Sequence, residues 1–176
     1  MKHRGKTYWR RKRNKLLKKH VIPKGKVLDV GCGWRIHYTN AVRLDINPDY
    51  NPDVVADIQK GTDFPDSYFD TVLMFDVLEH LEYPHRAVEE VKRVLKPGGM
   101  IYITVPFCFP RHGVEYYRFS DLALKKMLDG FEVQIIQVRK SKFWNLVWNY
   151  YMHDTIIEGY FLIAEKRKNI SEPFNP

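Results

Sequence analysis

Four aspartates stand at or near the ends of apolar runs: Asp29 in Val27-Leu28-Asp29-Val30, Asp45 after Ala41-Val42-Arg43-Leu44, Asp57 in Val55-Ala56-Asp57-Ile58, and Asp76 after Val72-Leu73-Met74-Phe75. Carboxylates at strand ends can hold hydroxyls, amines and positive charge at the rim of a sheet. Between the first two runs stands Gly31-Cys32-Gly33. Glycine there reaches backbone angles that other residues avoid and leaves the backbone open to a ligand. Two of the imidazoles that follow are His80 and His112. An imidazole titrates near neutral pH and so suits general base work. The loop from Pro106 to Phe119 adds Glu115, two phenols (Tyr116, Tyr117) and the guanidiniums of Arg111 and Arg118.

These groups need a scaffold. Val27–Val30 reads as a buried strand that breaks into the Gly-x-Gly turn. The second run ends at Asp45, and an acid at that place in nucleotide-binding α/β folds hydrogen-bonds ribose hydroxyls. Only eleven residues separate Gly33 from Asp45, so Trp34 to Asn40 has room for one or two helical turns. Val54 to Ile58 reads as a third strand and Thr71 to Phe75 as a fourth, continuously apolar as in a strand buried on both faces. Tyr83-Pro84 opens a helix whose apolar stripe is Ala87, Val88, Val91, Val94 and Leu95. Met100 to Val105, Phe131 to Arg139 and Tyr160 to Lys166 complete seven strands, with a helix capped by Ser120 before the sixth. Ligands in open parallel sheets gather at the carboxyl ends of strands, where strand order reverses. Asp29, Asp45 and Asp76 would then surround one crevice.

The chain of 176 residues is 44% hydrophobic and 14% aromatic, enough for one substantial core. No run is long enough to span a bilayer. The basic N-terminus is not followed by an apolar segment, which speaks against a signal peptide. Cys32 and Cys108 lack metal-type spacing, so a reducing, cytoplasmic setting is expected, with no zinc site. The net charge of +8 is uneven: residues 1–20 hold ten Lys or Arg and no acid. That arm, residues 1–22, reads as a solvated segment with a short helix on which Trp9, Leu16 and Leu17 form a thin stripe, or as a contact for an anionic membrane surface or nucleic acid. Residues 23–166 form the main domain and 167–176 a flexible tail. Within 140–159, Trp144, Val147, Trp148 and Tyr151 fall on one helical face, which could cover the substrate pocket, form a homodimer contact or lie in a membrane interface.

In order and spacing, Val27–Gly33, Asp45, Val55–Ile58, Phe69–His80 (with Leu78-Glu79-His80) and Leu95–Gly99 resemble the class I S-adenosylmethionine-dependent methyltransferases, closest to their small type 11 branch. The resemblance covers about residues 25 to 139. It implies an α/β, Rossmann-like, doubly wound sheet of seven mostly parallel strands with a C-terminal antiparallel hairpin, here with shortened crossover helices. It implies S-adenosyl-L-methionine as cofactor and S-adenosyl-L-homocysteine as product. Asp29, Gly31, Cys32, Gly33, Asp45, Ile46, Asp57, Ile58, Phe75 and Asp76 would bind the cofactor, with Asp57 reading the adenine amino group. The His112…Glu115-Tyr116-Tyr117-Arg118 string resembles the substrate loop of small methyltransferases of glycan and cell-surface pathways.

Methyl transfer is an in-line displacement, so the protein chiefly positions donor and nucleophile. The positive sulfonium suits a crevice lined by Asp29 and Asp76. For an oxygen nucleophile His112 is the first candidate base and His80 the second, with Glu115 completing the catalytic set and Tyr116, Tyr117 and Arg118 binding substrate. The expected acceptor is a small molecule or a glycan- or lipid-linked intermediate. Alternatives are an RNA or protein methyltransferase that uses the basic arm, and a non-catalytic module that keeps the fold. A nicotinamide dehydrogenase is disfavoured, since Ile36 stands where the third glycine of its fingerprint would be.

Overall fold

The computed structural model describes residues 8–108, 113–139 and 157–168. The element order is α1 (Tyr8–His20), β1 (Val27–Val30), β2 (Ala41–Asp45), β3 (Val54–Val55), β4 (Phe69–Phe75), α2 (Pro84–Val94), β5 (Leu95–Pro106), α3 (Asp121–Met127), β6 (Phe131–Arg139) and β7 (Ile157–Lys166). Short 3-10 turns lie at Pro48–Tyr50, Ile58–Lys60 and Leu78–His80. The strands form one sheet in the order β3-β2-β1-β4-β5-β7-β6, and β7 runs antiparallel to both of its neighbours. Strand order reverses between β1 and β4, the expected place for a ligand crevice.

Side chains alternate across each strand. On β4, Val72 and Met74 enter one core with Leu28, Val30, Ile101, Ile103 and Leu162, covered by Val88 and Val91 of α2 and Leu124 of α3. Leu73 and Phe75 enter a second core with Val27, Tyr102 and Phe161, covered by Leu16 and Leu17 of α1. Helices therefore cover both faces. α2 starts at Pro84, where a missing N–H costs nothing, and buries Ala87, Val88, Val91 and Val94. Burying each valine contributes about 1.5–3 kcal/mol. The Ser120 hydroxyl caps α3 by accepting the Ala123 amide at 3.2 Å.

The helix of the arm is part of the body. Trp9, Arg13, Leu16 and Leu17 recur at helical spacing and face inward, and Trp9 is 2% exposed. Its indole lies against β7 at Gly159, where a Cβ atom would come within 2.5 Å of the ring. Any side chain there would push α1 away from the sheet.

Several boundaries differ from the expectation. Trp34 to Asn40 makes turns and no helix, because seven residues must also bring the chain back to β2. β3 is two residues long, and its expected end is the 3-10 turn that Asp57 caps. β5 begins at Leu95, since Leu95 already pairs with Phe69 ahead of a register shift in β4. β7 begins at Ile157. Lys2, Arg4 and Lys6 of the arm, the aromatic stripe of Trp144, Val147, Trp148 and Tyr151, and residues 169–176 of the tail lie outside the described residues. Among the described residues no helix is long and apolar enough to cross a membrane.

Candidate active site

Two cavities, each of about 330 Å³, open at the carboxyl ends of β1, β2 and β4. They share walls at Gly31, Asp76 and His80. The first is an apolar slot between Val30, Leu44, Ile46, Ala56, Ile58, Val77 and Leu81, with Asp45 and Asp57 at its edges. The second is polar and lies beneath α1, between Trp9, Arg10, Arg13, Trp34, Arg35, His37, Phe75, Glu79 and Glu115.

Asp45 is built into the glycine turn. One carboxylate oxygen accepts the Gly33 amide at 2.9 Å and the other accepts the Asn47 amide at 3.0 Å. The Gly31 and Cys32 amides donate to the Leu44 carbonyl at 2.8 and 3.2 Å. These three amides therefore do not face the crevice: each closes the turn onto β2. What the glycines offer is bare backbone. Gly31 and Gly33 have φ of 65° and 54°, and a Cβ on Gly33 would meet nothing within 4 Å. Arg43 locks the same turn, donating to the carbonyls of Gly33 at 2.9 Å and Asn51 at 2.8 Å. The Cys32 thiol lies at the cavity wall, and burial raises its pKa.

Asp29 is fully buried and does not itself form the cavity wall. The expectation of a carboxylate facing the crevice is corrected here. Asp29 instead holds the His37 ring, whose Nδ1 lies 2.9 and 3.1 Å from its two oxygens, and His37 packs edge-on to Phe75 and lines the polar cavity. Asp57 borders the apolar slot and caps the next turn, accepting the Gln59 amide at 3.0 Å. Ile46 projects into solvent at the mouth of the slot, 63% exposed, where it can lie against a flat ring.

Asp76 is the hinge between the cavities. Its φ is +57°, a left-handed conformation that costs about 1–3 kcal/mol in a residue with a side chain. Thr104 of β5 holds it there: the Asp76 amide donates to the Thr104 carbonyl at 2.9 Å, and the Thr104 hydroxyl donates to Asp76 at 2.8 Å. The second Asp76 oxygen pairs with Arg13, a residue of α1 that is 5% exposed.

The turn after Asp76 presents Glu79 and His80. Glu79 is 1% exposed, and its Oε2 has no hydrogen-bond partner among the described residues. Burial first, and then the negative charge of Asp76, push its pKa well above the usual carboxylate range. The His80 Nδ1 lies 2.6 Å from the Val114 carbonyl oxygen. A carbonyl only accepts, so Nδ1 donates, which leaves Nε2 as the basic nitrogen of the neutral ring. Nε2 lies 3.8 Å from Glu79.

The chain leading into α3 docks on this turn through the Tyr116 amide, which donates to the Glu79 carbonyl at 2.8 Å. Glu115 reaches the cavity and pairs with Arg118. Tyr117 donates to the Glu82 carbonyl at 2.9 Å and stacks on Phe119. Tyr116, Tyr117 and Arg118 are not among the residues lining either cavity. His112 lies outside the described residues. The described site thus unites Gly31, Cys32, Gly33, Asp45, Ile46, Asp57, Ile58, Phe75, Asp76, His80 and Glu115 of the expected set. Trp9, Arg10, Arg13, Arg35, His37 and Glu79 join it without having been expected. The available signal for Arg13 was its place four residues after Trp9, on the same helical face. A charge in an apolar stripe requires a buried partner.

This fold and crevice define a Rossmann-like α/β protein with its ligand site at the point where strand order reverses. Residues 28–103 match the family model described as "Methyltransferase domain". Protein MJ1123 of Methanocaldococcus jannaschii is 38% identical over 100 residues, which span 51% of this chain and 48% of that one. A Mycolicibacterium smegmatis protein described as "Probable S-adenosylmethionine-dependent methyltransferase" is 30% identical over 118 residues, spanning 57% of this chain and 46% of that one. A solved S-adenosylmethionine-dependent methyltransferase of Archaeoglobus fulgidus shares the fold, with a TM-score of 0.67 over 87% of this chain and 92% of that one at 21% identity. Residues 28–103 are thus similar to a methyltransferase domain, and the chain shares its fold with a solved S-adenosylmethionine-dependent methyltransferase. It spans about half the length of these curated relatives.

Proposed function

We propose that this chain transfers a methyl group from S-adenosyl-L-methionine to an oxygen of a small molecule or of a glycan- or lipid-linked intermediate. The observation that carries this reading is the junction of an apolar slot and a polar cavity at Asp76 and His80. The chain's residues fit the cofactor. An apolar slot with carboxylates at its edges suits an adenosine, with Ile46 and Ile58 against the base, Asp57 at its amine and Asp45 at the ribose. Open backbone at Gly33 leaves room for a ligand to lie on the turn. Asp76 and Arg13 offer opposite charges suited to an amino acid end. When bound, the cofactor supplies an electrophilic methyl group on a positively charged sulfonium.

The rest falls to the chain. The carbonyl of Val114 fixes the His80 tautomer, so Nε2 can take the proton of an acceptor hydroxyl. Burial favours the protonated form of Glu79, and that form can donate a hydrogen bond to the same oxygen. α1 and the turn at Trp34 wall the cavity and limit water around the nucleophile. The test is transfer of a labelled methyl group to pools of hydroxylated small molecules, glycans, lipid-linked intermediates and RNA. Label in a hydroxylated small-molecule, glycan or lipid fraction supports the reading; label in RNA or in protein alone overturns it.

A further inference from the structure

The side of α1 turned away from the sheet is cationic. Arg11, Lys15, Lys18 and Lys19 are exposed there. Arg11, Lys15 and Lys18 recur at the spacing of one helical stripe, and Lys19 lies beside it, one turn after Lys15. Among the described residues no carboxylate comes within ion-pair distance of these four. From Tyr8 to Leu28 the chain holds no acid, and the first one reached, Asp29, is fully buried.

Lys15 and Lys19 also stand on a groove of about 560 Å³ between α1 and β6, which shares no residue with the crevice. Leu16 of α1 and Ile136 and Val138 of β6 line it, and no acid does. β6 is the last strand of the sheet and pairs on one side only.

These features discriminate between polyanions. A nucleic acid strand is held by cations together with aromatic rings on which its bases stack. No such ring is among the described exposed side chains of α1: Trp9 is 2% exposed and packs inward. What accompanies the cations is aliphatic. Leu16, Ile136 and Val138 line the groove, and Ile22, just past the helix, is 65% exposed. Phosphate beside hydrocarbon is the chemistry of the headgroup layer of a bilayer, where clustered Lys and Arg meet anionic lipid.

We propose that this face docks on an anionic phospholipid surface, with lipid phosphates at Lys15 and Lys19 and hydrocarbon against the groove. The docking does not depend on the methyl-transfer reading. Because the inner side of α1 walls the polar cavity, it also brings that cavity close to the lipid.

The test is co-sedimentation of the full chain with vesicles of phosphatidylcholine alone and of phosphatidylcholine with phosphatidylglycerol, at low and high salt. Binding to the anionic vesicles alone, weakened by salt, is the expected result. Replacing two lysines together, Lys15→Gln and Lys19→Gln, should weaken it at least about tenfold. Lys126→Gln, an exposed change on α3, should leave it within about twofold. Absence of binding to the anionic vesicles, equal binding to the neutral ones, or binding indifferent to the double variant overturns the proposal. So does single-stranded RNA that displaces the chain from anionic vesicles at equal phosphate concentration, because the face would then serve nucleic acid.

Discussion

Arg13 and Asp76, 63 residues apart in sequence, form an ion pair that ties α1 to the end of β4. The pair couples the N-terminal helix to the site. It also explains how a strongly basic segment becomes part of the folded body. Breaking a buried pair leaves one charge uncompensated and costs about 3–5 kcal/mol, less where one partner reaches water. The Asp76 side chain is 24% exposed. Arg13→Gln should therefore cost about 2 kcal/mol and lower Tm by roughly 4–8 °C in a chain of this size. Thermal unfolding followed by circular dichroism measures it, and an unchanged Tm would show that the pair adds nothing to stability.

Glu79 links stability to pH. Its pKa is raised in the folded chain, so folding retains a proton that the unfolded chain gives up above the ordinary carboxylate range. The associated stability is present at acid pH and declines as pH rises from that range toward the folded pKa. Glu79→Gln keeps the shape without the titration. It should unfold at a Tm roughly 2–4 °C above the parent at pH 7, about 1 kcal/mol, with the gap closing toward pH 4. A constant gap across that interval is the contrary result.

His80 carries the proposed base. His80→Gln should lower turnover about 100-fold or more once an acceptor is in hand, and should remove the acidic limb of the pH–rate profile. Binding of S-adenosylhomocysteine should stay within a few-fold of the parent, since the change lies at the border of the slot and not on the ribose side. Full turnover in the variant would return the base role to His112.

The sheet was legible because its signals are local. Apolar runs bounded by Gly, Pro and Asp mark seven strands, and the Gly-x-Gly turn with Asp45 marks the crevice. The departures come from tertiary context. Asp29 sits one residue inside the end of β1, so its side chain enters the protein and reaches the site only through His37. The amides of the glycine turn are consumed because the short connection to β2 folds back on Leu44 and Asp45. Arg10 and Arg13 belong to an arm that reads as solvated or as a contact for an anionic surface or nucleic acid, since composition does not show which face of a basic helix turns inward. The raised pKa of Glu79 depends on burial and on Asp76 nearby, and neither is written in the sequence between them.

The most direct test of the cofactor site is calorimetric titration of the protein with S-adenosylhomocysteine, with a nicotinamide dinucleotide as control and Asp45→Ala as the variant. Micromolar binding of the former alone, weakened at least about tenfold by Asp45→Ala, is the predicted result; tenfold is about 1.4 kcal/mol, the size of one lost hydrogen bond to a charged group. Failure of S-adenosylhomocysteine to bind, or binding that ignores Asp45→Ala in a variant that still folds, would contradict a cofactor crevice at the ends of β1, β2 and β4.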